Sequence, residues 1–224
     1  MDRFETMRIG DEQQPVVVID DFAAAPDAVR AAAAGRAFVP ARHAYPGLRA
    51  ELPAGYWSQQ QATVRAAATL LGLPAGPIAV IDASFSIVTT PRAALSLSQR
   101  LPHCDSHDPG RVAFVHYLDP SEANGGTAFF RHRSTRFETV DRDRAPIFAA
   151  QLDAELRYGR APAADYIGDD DRLFERIASV PARYNRAVLY RSFALHSGVV
   201  PPAASLAADP LTGRLTVTGF LAFA

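Results

Sequence analysis

The residues best suited to chemistry lie in the peptide Pro102-His-Cys-Asp105 and at a later histidine, His196. Residues two positions apart in an extended backbone point to the same side, so His103 and Asp105 can reach one ion together. His196, on a later strand-like segment, offers a third ligand. Two imidazoles and one carboxylate occupy one face of an octahedral metal and leave other positions open, which suits iron(II). We therefore predict that His103, Asp105 and His196 form a catalytic metal centre.

Other ligand sets remain open, because a His-x-Asp pair alone is a weak signal. Asp105, His107 and Asp108 could supply a shifted set. We favour His103 because it follows a strand-like segment, whereas residues 107–110 have the composition of a turn. The remaining histidines, which we interpret first as ordinary surface or core residues, are His43, His116 and His132; of these, His116 could line a cavity.

The amino-acid composition excludes several classes of function. The 224 residues carry a formal net charge of -1, with the charges spread along the chain, so nothing indicates binding to nucleic acid or anionic lipid. All 23 basic residues are arginine, which excludes lysine Schiff-base chemistry and a P-loop lysine. The single cysteine, Cys104, excludes an internal disulfide. No apolar run approaches the roughly 20 residues of a membrane span. We expect a soluble, cytoplasmic protein that acts on a small-molecule substrate; the oligomeric state is left open.

Hydrophobic periodicity places helices early and strands late. We predict a strand at 16–20 and helices at 26–35 and 58–71, the second with Ser58 as its N-cap. Further strands are predicted at 78–81, 84–89, 112–118, 127–130, 187–190, 193–199 and 214–221, and residues 145–156 have helical spacing. This pattern predicts an α+β fold in one domain, 1–224. Residues 1–77 would support a β core at 78–224, with an inserted lid near 141–185.

The order of the motifs resembles the prolyl-hydroxylase-like branch of the iron(II)- and 2-oxoglutarate-dependent oxygenases, over roughly residues 78 to 224. The motifs that carry this resemblance are His103-x-Asp105, Tyr117-Leu-Asp-Pro, Gly125-Gly126-Thr, Phe129, His196-Ser-Gly and Arg214-Leu-Thr-Val-Thr-Gly-Phe. The resemblance implies a double-stranded β-helix, or jelly-roll, core with the metal at its open end. The N-terminal helices would brace the outside of the larger sheet.

The resemblance also implies a co-substrate, 2-oxoglutarate, and residues that bind it. Arg214 would pair with its distal carboxylate, since a planar guanidinium matches a carboxylate with two parallel hydrogen bonds. Thr216 shares the face of Arg214, and Tyr117 occupies the place of a hydroxyl that often assists it. The composition of residues 201–213 indicates a loop between His196 and Arg214.

The reaction implied by the resemblance is decarboxylation of 2-oxoglutarate to succinate, coupled to hydroxylation of a small or amino-acid-like molecule. Arg131, Arg133 and Arg191 are candidates for contacting an acidic group of that substrate. One alternative is a zinc- or cupin-like hydrolase or isomerase, which would not need Arg214. Another is a non-catalytic β-helix module that serves in binding and tolerates loss of the metal ligands.

Overall fold

The computed structural model describes residues 3–41, 44–74, 76–121 and 125–223. His43 lies outside these ranges. Within them the strands are β1 (Phe4–Ile9), β2 (Gln14–Ile19), β3 (Val39–Pro40), β4 (Gly47–Ala50), β5 (Ile78–Val88), β6 (Arg111–Tyr117), β7 (Gly126–His132), β8 (Phe174–Pro181), β9 (Ala187–Arg191), β10 (His196–Val199) and β11 (Leu215–Phe223). The helices are α1 (Pro26–Ala34), α2 (Tyr56–Leu70) and α3 (Ala145–Arg157), with short 3-10 turns at Arg92–Ala94 and Leu97–Arg100.

The strands form two antiparallel sheets. The large sheet has the order β1-β2-β9-β6-β11-β5-β4-β3, and the small sheet has the order β10-β7-β8. The last strand, β11, lies inside the large sheet between β6 and β5, where Thr216 pairs with Tyr117 on one side and with Ser86 on the other. The end of the chain therefore contributes to the centre of the sheet.

The side chains of the large sheet alternate between its two faces, as expected for strands buried on both sides. On β2 and β9, Val17 and Leu189 pack in one core cluster with α1 and α2, which contribute Val29 and Val64. Their neighbours Val16, Val18, Val188 and Tyr190 belong to a second cluster that faces the small sheet. The two N-terminal helices thus cover the outer face of the large sheet.

The small sheet is also covered on both faces. Phe129 points toward the large sheet, whereas its neighbours Ala128 and Phe130 pack with Leu152 of α3. Burying a phenylalanine side chain contributes about 1.5–3 kcal/mol relative to leaving it exposed, and Phe130 is fully buried. The layers are therefore helices, large sheet, small sheet and α3, and the space between the sheets is where a site can form.

Several predicted elements are confirmed, among them α1, α3 and a loop between β10 and β11. The predicted N-cap of α2 is wrong: the helix begins at Tyr56 after Gly55, which has a φ of 84°. Ser58 lies inside the first turn, and its hydroxyl donates to the Gly55 carbonyl at 2.8 Å. No strand was predicted between 141 and 185, yet β8 lies there. Within the described ranges, every helix falls short of the length and apolar character of a membrane span.

Candidate metal centre and its cavity

Two backbone contacts bring the predicted ligand residues together. The amide of His103 donates to the carbonyl of His196, and the amide of His196 donates to the carbonyl of His103, both at 2.9 Å. The amide of Asp105 donates to the carbonyl of Ser192 at 2.8 Å, just after β9. The loop that carries His103 and Asp105 is therefore fixed to the β9–β10 connection, next to the strand that begins with His196.

The three side chains converge. The Nε2 atom of His103 lies 3.5 Å from Oδ1 of Asp105, and Nε2 of His196 lies 3.4 Å from Oδ2. One ligand atom from each residue lies within 4.8 Å of the others. Nδ1 of His196 is 3.0 Å from the carbonyl of Ala194, which can only accept, so this nitrogen carries the proton. Nε2 of His196 is left with a lone pair for a metal, an orientation typical of histidine ligands.

Burial and charge favour the metal-binding protonation states of Asp105 and His196. Burial lowers the pKa of His196 to about 4, so its ring is neutral near pH 7. Burial raises the pKa of Asp105, but the neighbouring His196 and His103 outweigh it, and the net shift is downward. Burial opposes protonation of His103, whereas its interaction with Asp105 raises the pKa overall. A carboxylate between two imidazoles has the donor chemistry of a site for a divalent transition metal.

The three residues lie on the wall of a cavity of about 510 Å³, within the usual size of a small-molecule site. The Asp105 and His196 side chains are only 13% and 7% exposed, while that of His103 is 54% exposed. The cavity reaches between the two sheets, and its wall also includes Tyr45, Arg49, Asp82, Val88, Thr127, Tyr166, Tyr190, Arg214, Thr216, Thr218 and Phe220.

Arg214 lines the same cavity as the three ligand-type residues. It directly precedes β11 rather than lying within it, and it is buried. Its Nη2 donates to the carbonyl of Gly126 at 3.1 Å. A Cβ atom on Gly126 would lie 2.1 Å from the carbonyl oxygen of Val180, so the predicted Gly-Gly turn permits the close approach of β7 and β8. The turn thereby places the carbonyl that holds Arg214.

The two hydroxyl residues predicted beside Arg214 occupy different places. Thr216 lines the cavity, and its hydroxyl donates to the Ser86 carbonyl at 3.3 Å. Tyr117 is buried on β6, and its hydroxyl lies 2.7 Å from the hydroxyl of Thr127, which does line the cavity. Burial raises the pKa of Tyr117, and the charge of Arg214 opposes this effect, so the two groups are near each other. Tyr117 therefore does not itself line the cavity.

The alternative ligands are engaged elsewhere. Nδ1 of His107 lies 2.8 Å from the Val140 carbonyl, and Asp108 accepts a turn hydrogen bond from the amide of Gly110 at 2.9 Å. His116 is fully buried on the helix-covered side of the large sheet. His132 is fully buried against α3. Among the described residues, the grouping that could hold a metal is His103, Asp105 and His196.

The arginines predicted from sequence to contact substrate, Arg131, Arg133 and Arg191, are not among the residues that line the cavity. Arg131 is paired with Glu138, Asp11 and Glu175. Arg133 is paired with Asp170, and Arg191 donates to backbone carbonyls. The wall contains Arg49 instead, which sequence reasoning missed. No motif marks Arg49, because it lies on the four-residue strand β4, whose pairing with β5 was not predicted.

Two histidines and one carboxylate on the wall of a cavity between antiparallel sheets define a candidate metal-dependent small-molecule site. The family model described as "Family of unknown function (DUF6445)" matches residues 2–221, and the chain belongs to this family. No curated protein matches the sequence.

Solved structures give a further comparison. The chain is similar to the non-haem alpha ketoglutarate dependent epimerase SnoN from nogalamycin biosynthesis, with a TM-score of 0.50 and 14% identity over 93% of this chain and 78% of SnoN. An N-substituted L-amino acid dioxygenase from Burkholderia ambifaria AMMD aligns over 99% of this chain and 96% of its own, with a TM-score of 0.49 and 14% identity. HygX from Streptomyces hygroscopicus, with nickel and 2-oxoglutarate bound, aligns over 92% and 82%, with a TM-score of 0.45 and 12% identity. The likeness to SnoN shows a shared fold.

Proposed function

We propose that this protein is an iron(II)- and 2-oxoglutarate-dependent oxygenase that hydroxylates a small molecule or an amino-acid-like substrate. The observation that carries the proposal is that the His103, Asp105 and His196 cluster shares one cavity with the buried guanidinium of Arg214. A metal site and a carboxylate-binding site in the same cavity are what a chelating dicarboxylate co-substrate requires.

His103, Asp105 and His196 would hold the iron. When bound, iron(II) with 2-oxoglutarate and dioxygen supplies the oxidising power to hydroxylate a C–H bond, with release of succinate and carbon dioxide. The chain itself binds and orients the reactants. The contact of His196 with the Ala194 carbonyl fixes the ring, and the attachment of Asp105 to Ser192 fixes the carboxylate between the two histidines.

Arg214 would bind the distal carboxylate of 2-oxoglutarate. Its buried position excludes water, which strengthens a charge-assisted pair, and its hydrogen bond to the Gly126 carbonyl holds the guanidinium at the cavity wall. Thr216 would add a hydroxyl from the cavity wall. Tyr117 would act through Thr127, which places it as a positioning residue.

The proposal includes a jelly-roll core of the prolyl-hydroxylase-like kind within one domain, 1–224. Two facing antiparallel sheets and the fold likeness to SnoN support it. We further propose that part of the segment 141–185 acts as a lid, because Tyr166 reaches the cavity wall and its hydroxyl donates to the Thr90 carbonyl at 2.7 Å. The cytoplasmic location stays a prediction.

The test is succinate formation from 2-oxoglutarate by protein loaded anaerobically with iron(II) and then exposed to oxygen. We expect iron-dependent succinate in the wild type and its loss in His103→Ala. His107→Ala is the matched control, because His107 lies four residues away but outside the cluster, and it should keep wild-type turnover. Arg214→Gln should raise the concentration of 2-oxoglutarate needed for half-maximal rate.

The alternatives give different results. Tight zinc binding without any binding of 2-oxoglutarate would contradict the oxygenase and favour a hydrolase or isomerase. Weak binding of all divalent metals, with unchanged stability in His103→Ala, would favour a non-catalytic binding module.

A further inference from the structure

The cavity wall carries two arginines among its described residues, Arg49 and Arg214. If the proposed function holds, on which this inference rests, Arg214 binds the distal carboxylate of 2-oxoglutarate. That co-substrate then offers no second distal anion for Arg49. Arg49 lies on the same cavity wall as His103, Asp105 and His196. A cation in this position faces the space where the substrate must approach.

Arg49 forms an ion pair with Asp82, which would compete only weakly with the carboxylate of a ligand. Nη1 of Arg49 lies 3.1 Å from Oδ2 of Asp82, with side chains 22% and 54% exposed. An ion pair as exposed as this one contributes only about 0–1 kcal/mol, so exchanging Asp82 for another anion costs little. Asp82 also lines the cavity and can turn toward solvent.

The guanidinium of Arg49 is oriented and has donor capacity left. Its CZ atom lies 5.0 Å from the centre of the Tyr45 ring, which holds the planar group in place. Its Nε is buried and has no hydrogen-bond partner among the described residues. Buried donors are normally satisfied, so the guanidinium is not saturated, and a carboxylate that replaces Asp82 can accept from its two Nη groups at once.

We propose that Arg49 binds a carboxylate group of the substrate, so that the substrate class is a small organic acid. The rest of such a molecule would lie against apolar residues of the cavity wall, such as Phe220 and Tyr190, whose ring centre is 4.7 Å from that of His196. The hydroxyl of Thr218, which lies 2.7 Å from that of Ser86, is available for a polar substituent. Arg49 would then fix one end of the substrate and leave a C–H bond near the ligand residues.

The test uses protein loaded with nickel(II) and 2-oxoglutarate, which does not turn over. Phenylacetate and hexanoate are titrated by calorimetry, each against its uncharged amide. We expect the wild type to bind the acids roughly tenfold or more tightly than the amides, as one charge-assisted hydrogen-bonded pair allows. Arg49→Gln should remove this preference. Arg133→Gln is the matched control, since Arg133 also pairs with an aspartate at 3.1 Å but lies outside the cavity wall, and it should keep the preference.

A second variant tests the competition with Asp82. Asp82→Asn should tighten acid binding by roughly two- to fivefold, because it removes an exposed ion pair from the unliganded state. If Arg49→Gln does not fold, as judged by thermal unfolding, Arg49→Lys serves instead, and the loss of the two-bond fork should lower the preference roughly threefold or more.

Equal binding of acids and amides by the wild type, or a preference that survives in Arg49→Gln, would overturn the proposal. It would also be overturned if Arg49→Gln weakened 2-oxoglutarate binding as much as Arg214→Gln does, because Arg49 would then belong to the co-substrate site. Failure of the proposed function shows itself separately, as a wild type that binds neither nickel nor 2-oxoglutarate.

Discussion

Among the described residues, histidine meets a carboxylate in two places, and these differ in what surrounds the imidazole nitrogens. In the His103, Asp105 and His196 cluster, Nε2 of both histidines points toward the carboxylate at the cavity wall. In the His132 cluster, defined by His132, Ser134, Thr135 and Glu155, both ring nitrogens of the histidine already have a hydrogen-bond partner. Nε2 of His132 lies 2.9 Å from Glu155, and Nδ1 lies 2.9 Å from the Thr135 hydroxyl.

The difference teaches that proximity of ligand types does not define a site. The His132 ring is fully buried between Phe148 and Phe174, and Ser134 donates to the other oxygen of Glu155. This cluster links β7 to α3, so its contacts serve the fold. The first cluster has its lone pairs beside a cavity and is suited to binding an ion. Four predictions test this contrast.

The largest effect is expected on metal binding. His196→Ala should weaken nickel(II) binding by at least about 100-fold, since even the outer partners of metal ligands commonly account for 10- to 100-fold. His132→Ala should leave the affinity within about twofold, because its ring faces no cavity. Calorimetric titration of both folded variants measures this. Equal affinities in the two variants would remove the functional distinction between the clusters.

His116 pairs with no carboxylate among the residues that the structure describes, and we expect it to make the stability of the protein depend on pH. Its nitrogens contact the Tyr56 hydroxyl at 3.0 Å and Asn185 at 3.1 Å, and burial lowers its pKa to about 4 from an ordinary value of 6.5. Between these values the unfolded chain binds more protons, so stability is full above pH 6.5 and falls as the pH drops toward 4.

The expected loss from His116 is about 3 kcal/mol over that interval, since one pKa unit corresponds to 1.36 kcal/mol. Urea unfolding at several pH values should show that His116→Gln lacks this part of the acid destabilisation. Parallel pH profiles for the wild type and the variant would show that folding does not lower the pKa of His116.

Glu155→Gln should lower the free energy of unfolding by about 2 kcal/mol, because a hydrogen bond to a charged group contributes roughly 1.5–3 kcal/mol. Glu155 is buried, with its carboxylate shared by His132 and Ser134. Urea unfolding measures the loss, and nickel(II) affinity should stay within about twofold of wild type. A large loss of metal affinity with unchanged stability would reverse the roles of the two clusters.

The smallest effect is expected at Thr216. Thr216→Val removes one hydroxyl from the cavity wall, so 2-oxoglutarate binding to nickel-loaded protein should weaken by roughly tenfold, the lower end for one hydrogen bond to a charged group. Thr212→Val, in the exposed loop before β11, is the control and should bind as wild type. An unchanged affinity in Thr216→Val would show that its hydroxyl serves only its contact with Ser86.

Much of the fold follows from local patterns. The runs that became β6, β9 and β11 contain β-branched and aromatic residues between turn-like segments, so these strands can be predicted from sequence. The strands β1, β3, β4 and β8 were not predicted, because they are short, partly polar or exposed along one face. Their strand geometry depends on pairing with distant neighbours, which a single sequence does not reveal.

The candidate site divides in the same way. His103 and Asp105 were predicted together because the two-residue spacing is local. His196 was added as a third ligand on a later strand-like segment, and Arg214 entered through a resemblance that orders distant motifs. The structure brings all four to one cavity wall. Arg49 has no local signature, since only the pairing of β4 with β5 carries it to that wall. Tyr117 was predicted beside the co-substrate; on β6 it faces the space between the sheets, and its hydroxyl contacts Thr127, which lines the cavity.

The most direct test is whether metal and 2-oxoglutarate bind as one coupled unit. Calorimetric titration of 2-oxoglutarate into metal-free and nickel-loaded wild type should show at least about tenfold tighter binding with the metal present, because one ligand would contact both the metal and Arg214. Asp105→Asn, loaded at the same nickel concentration, should lose this coupling. Equal 2-oxoglutarate affinity with and without nickel, or no binding in either state, would contradict a shared metal and co-substrate site in this cavity.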